Sequence, residues 1–149
     1  MPQIDRRAQI VWEGNLIQGH GTIGHTSSGA LDNLPVTWAS RTERPDGKTS
    51  PEELIAAAHA ECYAMGLAHG LAGAGTPAEK LEVDAVCTLE LSASGPRIQS
   101  MDLHVRGSVP GLSEAAFQQA AQIAEQRCPV SNALRNNVAI RVDAKLTNV

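Results

Sequence analysis

Thr49-Ser-Pro-Glu-Glu-Leu-Ile-Ala-Ala-Ala-His-Ala-Glu-Cys-Tyr-Ala-Met65 is the stretch around which the rest of the chain falls into place. Its opening carries the signals of a helix start. Ser50 can cap, Pro51 suits the first helical position, and Glu53 completes a capping box with Ser50. From Leu54 to Ala60 only His59 interrupts an apolar, small-residued run. A helix apolar on nearly every face is a buried one, so the stretch predicts a buried helix from Pro51 to about Leu71, ended by Gly73 and Gly75. Cys62 lies inside it. A cysteine in such a helix is more often a small packed hydrophobe than a nucleophile, and chemistry at Cys62 needs support from elsewhere in the chain.

Upstream, Ala8–Glu13 alternates weakly and reads as a strand ended by Gly14-Asn15. His20–Thr26 follows as a second strand, weakened by its glycines. Leu34–Ala39 reads as a third, with Pro35 marking an edge. Three short strands in succession predict an antiparallel meander. Arg41–Thr49 reads as a polar loop entering the helix.

Downstream, Leu81, Val83, Ala85, Cys87, Leu89 and Leu91 alternate with mostly polar residues, the pattern of a half-buried strand. Cys87 falls on its apolar side and reads as structural. After a turn at Gly95-Pro96, Met101, Leu103, Val105 and Val109 continue the pattern in a hairpin partner. Ser113 can cap a second helix to about Arg127, with Phe117, Ala120, Ala121 and Ala124 as its stripe. Pro129 suits the start of a short further helix, placing Cys128 at an N-terminal edge where backbone amides favour a thiolate. Val138, Ile140, Val142, Ala144 and Leu146 alternate in a closing strand. The reading is a single α+β domain over residues 1–149, with antiparallel sheets and two main helices.

Bulk properties narrow the function. The 149 residues are 42% hydrophobic and 19% charged, with a net charge of −4, which offers no attraction for nucleic acid or an anionic membrane. Aromatics at 3% leave little for stacking on bases. No apolar run reaches membrane-spanning length, and the first residues lack a signal-peptide core, so a cytoplasmic protein is expected. In that compartment Cys62, Cys87 and Cys128 form neither a zinc ribbon nor a structural disulfide framework, and a reactive pair plus one spare is the alternative.

A thiolate at Cys62 would need a cation, because burial alone opposes ionisation. Arg41 is the first candidate and Arg44 the second, with Glu52 placed to hold the arginine. On residue types alone these three read as an ordinary solvated loop and helix cap. His20 and His25 have no ligand spacing. His59 and His69 share a helix face with Cys62, but nothing completes a metal site, and His59 reads as a core or interface residue. No metal and no cofactor are expected.

Pro51–Met65 closely resembles the reactive-cysteine helix of the OsmC peroxidases, within the OsmC/Ohr family. Trp12-Glu13-Gly14 and Gly19-x-Gly21-Thr22, within Ala8–Ile23, agree with that family, as does Cys128-Pro-Val-Ser131. His59, where Ohr proteins carry a tyrosine-type motif, favours the OsmC branch. The chain departs from the pattern at Glu61, usually a small residue, and in an Arg41–Glu52 loop one residue longer. The resemblance implies an OsmC-like fold, an intertwined homodimer, and a thiol peroxidase for organic hydroperoxides. It implies Cys62 as the peroxidatic thiol, Cys128 as the resolving thiol, Arg41 as the activating cation and Glu52 as its partner. An external dithiol, for example a lipoyl-type one, would reset the Cys62–Cys128 disulfide. A thiol redox sensor and a lipophilic-ligand-binding protein are the alternatives, separated from a peroxidase by turnover.

Overall fold

A computed structural model describes residues 1–147, and the chain forms two compact units, Met1–Leu54 and Ile55–Val149. The first contains the strands β1 (Ala8–Glu13), β2 (His20–Thr26) and β3 (Pro35–Val36), in the antiparallel order β1-β2-β3. Trp12 pairs with Gly21 across β1 and β2. A Cβ on Gly21 would meet Val36 Cγ2 at 2.7 Å and Trp12 Cε3 at 2.8 Å, so this glycine is the seat of an indole ring. The same lack of a side chain that weakens β2 in isolation is what lets Trp12 lie across it.

The third strand is shorter than Leu34–Ala39. Pro35 supplies no N–H, and after Val36 the chain turns into the five-residue helix α1 (Trp38–Thr42). Thr37 starts it with a capping box: Thr37 Oγ1 accepts from Ser40 N at 3.0 Å, and Ser40 Oγ accepts from Thr37 N at 3.0 Å. Arg41 therefore sits on a helix rather than in a loop.

Helix α2 (Pro51–Gly73) opens in the first unit and continues through the second. Ser50 Oγ accepts from Glu53 N at 3.1 Å, the serine half of the expected capping box. The expectation of burial on nearly every face is corrected. Glu52, His59, Tyr63, Leu67 and Leu71 form one buried stripe, while Ala57, Ala58, Met65 and Gly66 are exposed. Alanine and glycine suit either environment, so composition alone did not reveal which face was covered.

In the second unit β4 (Lys80–Ser92), β5 (Gly95–Ser108) and β6 (Ala139–Leu146) form a sheet in the order β4-β5-β6. The β4–β5 hairpin is antiparallel, but β6 runs parallel to β5, which corrects the all-antiparallel expectation. A parallel neighbour needs a crossover. Helices α3 (Glu114–Arg127) and α4 (Pro129–Leu134) supply it. Met101, Leu103 and Val105 on β5 are buried at alternate positions, and Leu103 and Val105 share a core with Tyr63, Leu67 and Leu71 of α2 and Phe117, Ala121 and Ala124 of α3. Phe117 fills the space above Gly107, where a Cβ would stand 2.5 Å from the ring. The seating of Phe117 of α3 on the sheet thus depends on one glycine. Cys87, half-buried on β4 opposite Met101, lies on the side the alternation predicted.

Candidate active site

Within the first unit, Arg41 and Glu52 form a forked ion pair. Arg41 Nε donates to Glu52 Oε1 and Oε2 at 3.1 and 3.2 Å, and Nη2 donates to Oε1 at 2.7 Å. Two-point contacts of this kind fix orientation as well as charge. The Arg41 guanidinium also lies 5.9 Å from the centre of the Trp38 ring, one turn back on α1. Glu52 occupies the first turn of α2, where amide dipoles favour a carboxylate, and its side chain is 9% exposed against 29% for Arg41. Trp12, Leu16, Val36 and Trp38 line a cavity of about 220 Å³ that has Arg41 in its wall. Arg44 is exposed beyond the end of α1.

Within the second unit, Cys62 and Cys128 come together, and neither is in a disulfide. Cys62 is half-buried, and its sulfur is within hydrogen-bonding reach of both the Val130 N–H and the Cys128 thiol. Burial pushes the Cys62 thiol up from its ordinary value. The Val130 amide works against that rise, whereas the Cys128 thiol and the charge of Glu61 add to it. None of these groups is cationic, so their net effect opposes a thiolate.

Cys128, 2% exposed, caps α4, and Ser131 N donates to its sulfur at 3.5 Å. The first turn of α4 therefore offers one amide to each thiol: Val130 to Cys62 and Ser131 to Cys128. Pro129 precedes them without an N–H of its own and presets the turn.

Three contacts around the pair were not legible in the sequence. His59 Nε2 is 2.7 Å from Ser131 Oγ, with both side chains fully buried. Tyr63 donates its hydroxyl to the Ala121 carbonyl at 2.8 Å, and burial holds the phenol far above its ordinary range. Arg135 Nη2 lies 2.8 Å from Glu125 Oε1 and donates to the Glu125 carbonyl oxygen at 3.2 Å. Burial pushes His59 down, against the opposing pull of Glu125, which favours a neutral ring. Its Nδ1 is buried without a hydrogen-bond partner. Among the described residues, no three His, Cys, Asp or Glu side chains are grouped as metal ligands.

A family model described as OsmC-like protein matches residues 44–143. The chain belongs to the OsmC-like family. It is 34% identical over 142 residues to the peroxiredoxin OsmC of Escherichia coli, covering 95% of this chain and 98% of that protein. To the organic hydroperoxide resistance protein of Xanthomonas axonopodis pv. citri it is 30% identical over 95 residues, covering 62% of this OsmC-like chain and 63% of that protein. Its fold matches the crystal structure of the organic hydroperoxide resistance protein OhrB of Bacillus subtilis with a TM-score of 0.72 and 25% identity, covering 93% of this chain and 98% of that one. The α+β architecture with two three-stranded sheets is thus that of the OsmC-like family. Among the described residues, no helix is long and apolar enough to cross a membrane.

Proposed function

We propose that the protein is a cytoplasmic thiol peroxidase that reduces organic hydroperoxides to alcohols. The observation that carries this reading is the pairing of Cys62 on α2 with Cys128 at the cap of α4, two thiols that interact directly and each face an amide of the first turn of α4. The names of its relatives, a peroxiredoxin and hydroperoxide resistance proteins, support the same chemistry.

In this reading the Cys62 thiolate attacks the terminal peroxide oxygen. A sulfur–oxygen bond forms, the oxygen–oxygen bond breaks, and the alkoxide leaves as alcohol after taking a proton. Arg41, oriented by Glu52, provides the positive charge that the groups around Cys62 lack, stabilising both the thiolate and the developing alkoxide. Cys128 then attacks the Cys62 sulfenic acid. A disulfide forms, and the expelled oxygen takes the Cys128 proton and departs as water. An external dithiol, lipoyl-type or otherwise, reopens the disulfide by exchange.

Assembly as an intertwined homodimer belongs to the same proposal. Ile10, Val11 and Trp12 on β1 are 55%, 47% and 40% exposed, an apolar strand that a second copy would cover. The apolar lining beside Arg41 favours alkyl and aryl hydroperoxides over hydrogen peroxide, which has no hydrocarbon to remove from water.

The test is peroxide consumption under excess dithiol, with thiol counting and mass spectrometry after one equivalent of cumene hydroperoxide. Sustained turnover with a Cys62–Cys128 linkage supports the reading. One equivalent consumed without turnover would make the protein a sensor. No consumption would leave the cysteines as bystanders.

A further inference from the structure

We infer that His59 is a positioning residue for the resolving step, acting through Ser131 to hold Cys128 against Cys62. The inference rests on the peroxidase reading and adds to it a residue that touches neither substrate nor sulfur chemistry.

Helix α4 has only six residues, too few to be stable through its own hydrogen bonds, so its place depends on ties to other elements. Its first turn carries Cys128 as the cap and presents the Val130 and Ser131 amides to the two thiols. The side-chain tie at that turn is the 2.7 Å contact between Ser131 Oγ and His59 Nε2. His59 stands one turn before Cys62 on α2. One end of the contact is therefore fixed to the helix that carries the attacked sulfur, and the other to the turn that carries the attacking one. Both side chains are fully buried, so the contact is made away from competing water.

Packing alone does not call for a histidine at this buried position. A histidine selected for packing alone could be replaced by an apolar side chain with no buried nitrogen left over. What an apolar residue cannot do is grip the Ser131 hydroxyl. Disulfide formation is demanding in geometry, since the sulfurs must close to about 2.05 Å with a near-perpendicular dihedral. During the step the Cys128–Cys62 bond forms and the Cys62 sulfur–oxygen bond breaks, the leaving oxygen taking the Cys128 proton to become water. A first turn of α4 free to shift would make that approach infrequent and lengthen the life of the sulfenic acid.

The experiment is a single-turnover reaction with cumene hydroperoxide, in which a sulfenic-acid probe follows the intermediate and mass spectrometry follows the disulfide. Ser131→Ala and His59→Leu should each lengthen the sulfenic acid lifetime at least tenfold, and should slow the initial peroxide attack much less. The double variant should behave like either single one, because both changes remove the same contact. His59→Gln, which keeps a hydrogen-bonding group near the Nε2 position, should recover most of the resolving rate. Ser131→Ala carries the test if His59→Leu fails to fold. An unchanged lifetime in folded Ser131→Ala, additive effects in the double variant, or equal slowing of both steps would overturn the inference while leaving the peroxidase reading standing. A wild-type protein that forms neither sulfenic acid nor disulfide would overturn both.

Discussion

Glu52→Gln is the substitution that asks most of the Arg41–Glu52 pair, because it keeps shape and removes charge. Glu52 accepts from two Arg41 nitrogens through both of its oxygens, at 2.7 to 3.2 Å. Glutamine offers one acceptor oxygen and turns an NH2 group toward a cation. Breaking a fully buried pair from one side costs about 3–5 kcal/mol, whereas an exposed one is worth about 0–1 kcal/mol. With the Arg41 side chain 29% exposed and Glu52 9%, the loss should fall between these limits, at about 2 kcal/mol. The kinetic effect should be larger than the stability effect. A guanidinium released from its fork loses orientation, and a misplacement of about 1 Å near reacting atoms can cost about a hundredfold in rate. Urea unfolding gives the first quantity, and the second-order rate of Cys62 oxidation by cumene hydroperoxide gives the second. Arg41→Lys should resemble Glu52→Gln, because an ammonium cannot make the fork. The reasoning fails if Glu52→Gln oxidises within twofold of wild type while Arg41→Ala is inactive. In that case the carboxylate does not hold the arginine for catalysis.

Three further outcomes follow from the second unit. Cys128→Ser should react once with peroxide and stop as a trappable sulfenic acid, drifting to sulfinic acid under excess oxidant; a wild-type linkage of Cys62 to Cys87 would instead overturn the assignment of Cys128. Glu61→Ala removes a negative charge that pushes the Cys62 thiol up, so the midpoint of thiol alkylation against pH should move downward; an unchanged midpoint would mean that solvent already screens Glu61. His59 is held below its ordinary value in the folded protein, so below about pH 6.5 the unfolded chain takes up a proton that the folded chain refuses. Its stabilising contribution is thus complete above that pH and is lost as pH falls. Urea midpoints compared at pH 7.5 and 5 should drop more for wild type than for His59→Gln, and equal drops would exclude His59 as the cause.

The site was legible to the extent that local chemistry marked it. Ser50-Pro51 announced the helix carrying Cys62, Cys128-Pro129 announced a cap, and the alternation from Leu81 to Leu91 located the strand carrying Cys87. What escaped were relations between distant residues. Nothing in the residue types of His59 and Ser131 joins them, because their contact depends on how a crossover returns to α2. The direction of β6 was hidden for a related reason: Ile140, Val142, Ala144 and Leu146 alternate identically whether their neighbour runs with or against them. Helix α1 was missed because Thr37 and Ser40 are a capping box within only a few residues, directly after a proline-led strand. The buried charge of Glu125 was missed as well, since the Arg135 beside it lies on a different element.

The parallel docking of β6 also gives the proposed Cys62–Cys128 pair a place in time. Cys128 lies in the connection between β5 and β6, and a parallel pair cannot form until the whole intervening segment has been made. During synthesis α2 and the β4–β5 hairpin, with Cys62 and Cys87, emerge well before the last strand. The connection that carries Cys128 is anchored at both ends only once β6 has docked, so a chain stopped short of Ala139 would hold Cys128 on a segment fixed at one end. In the proposed cycle such a fragment should accumulate over-oxidised Cys62, which makes β6 as necessary to reversibility as the cysteines themselves.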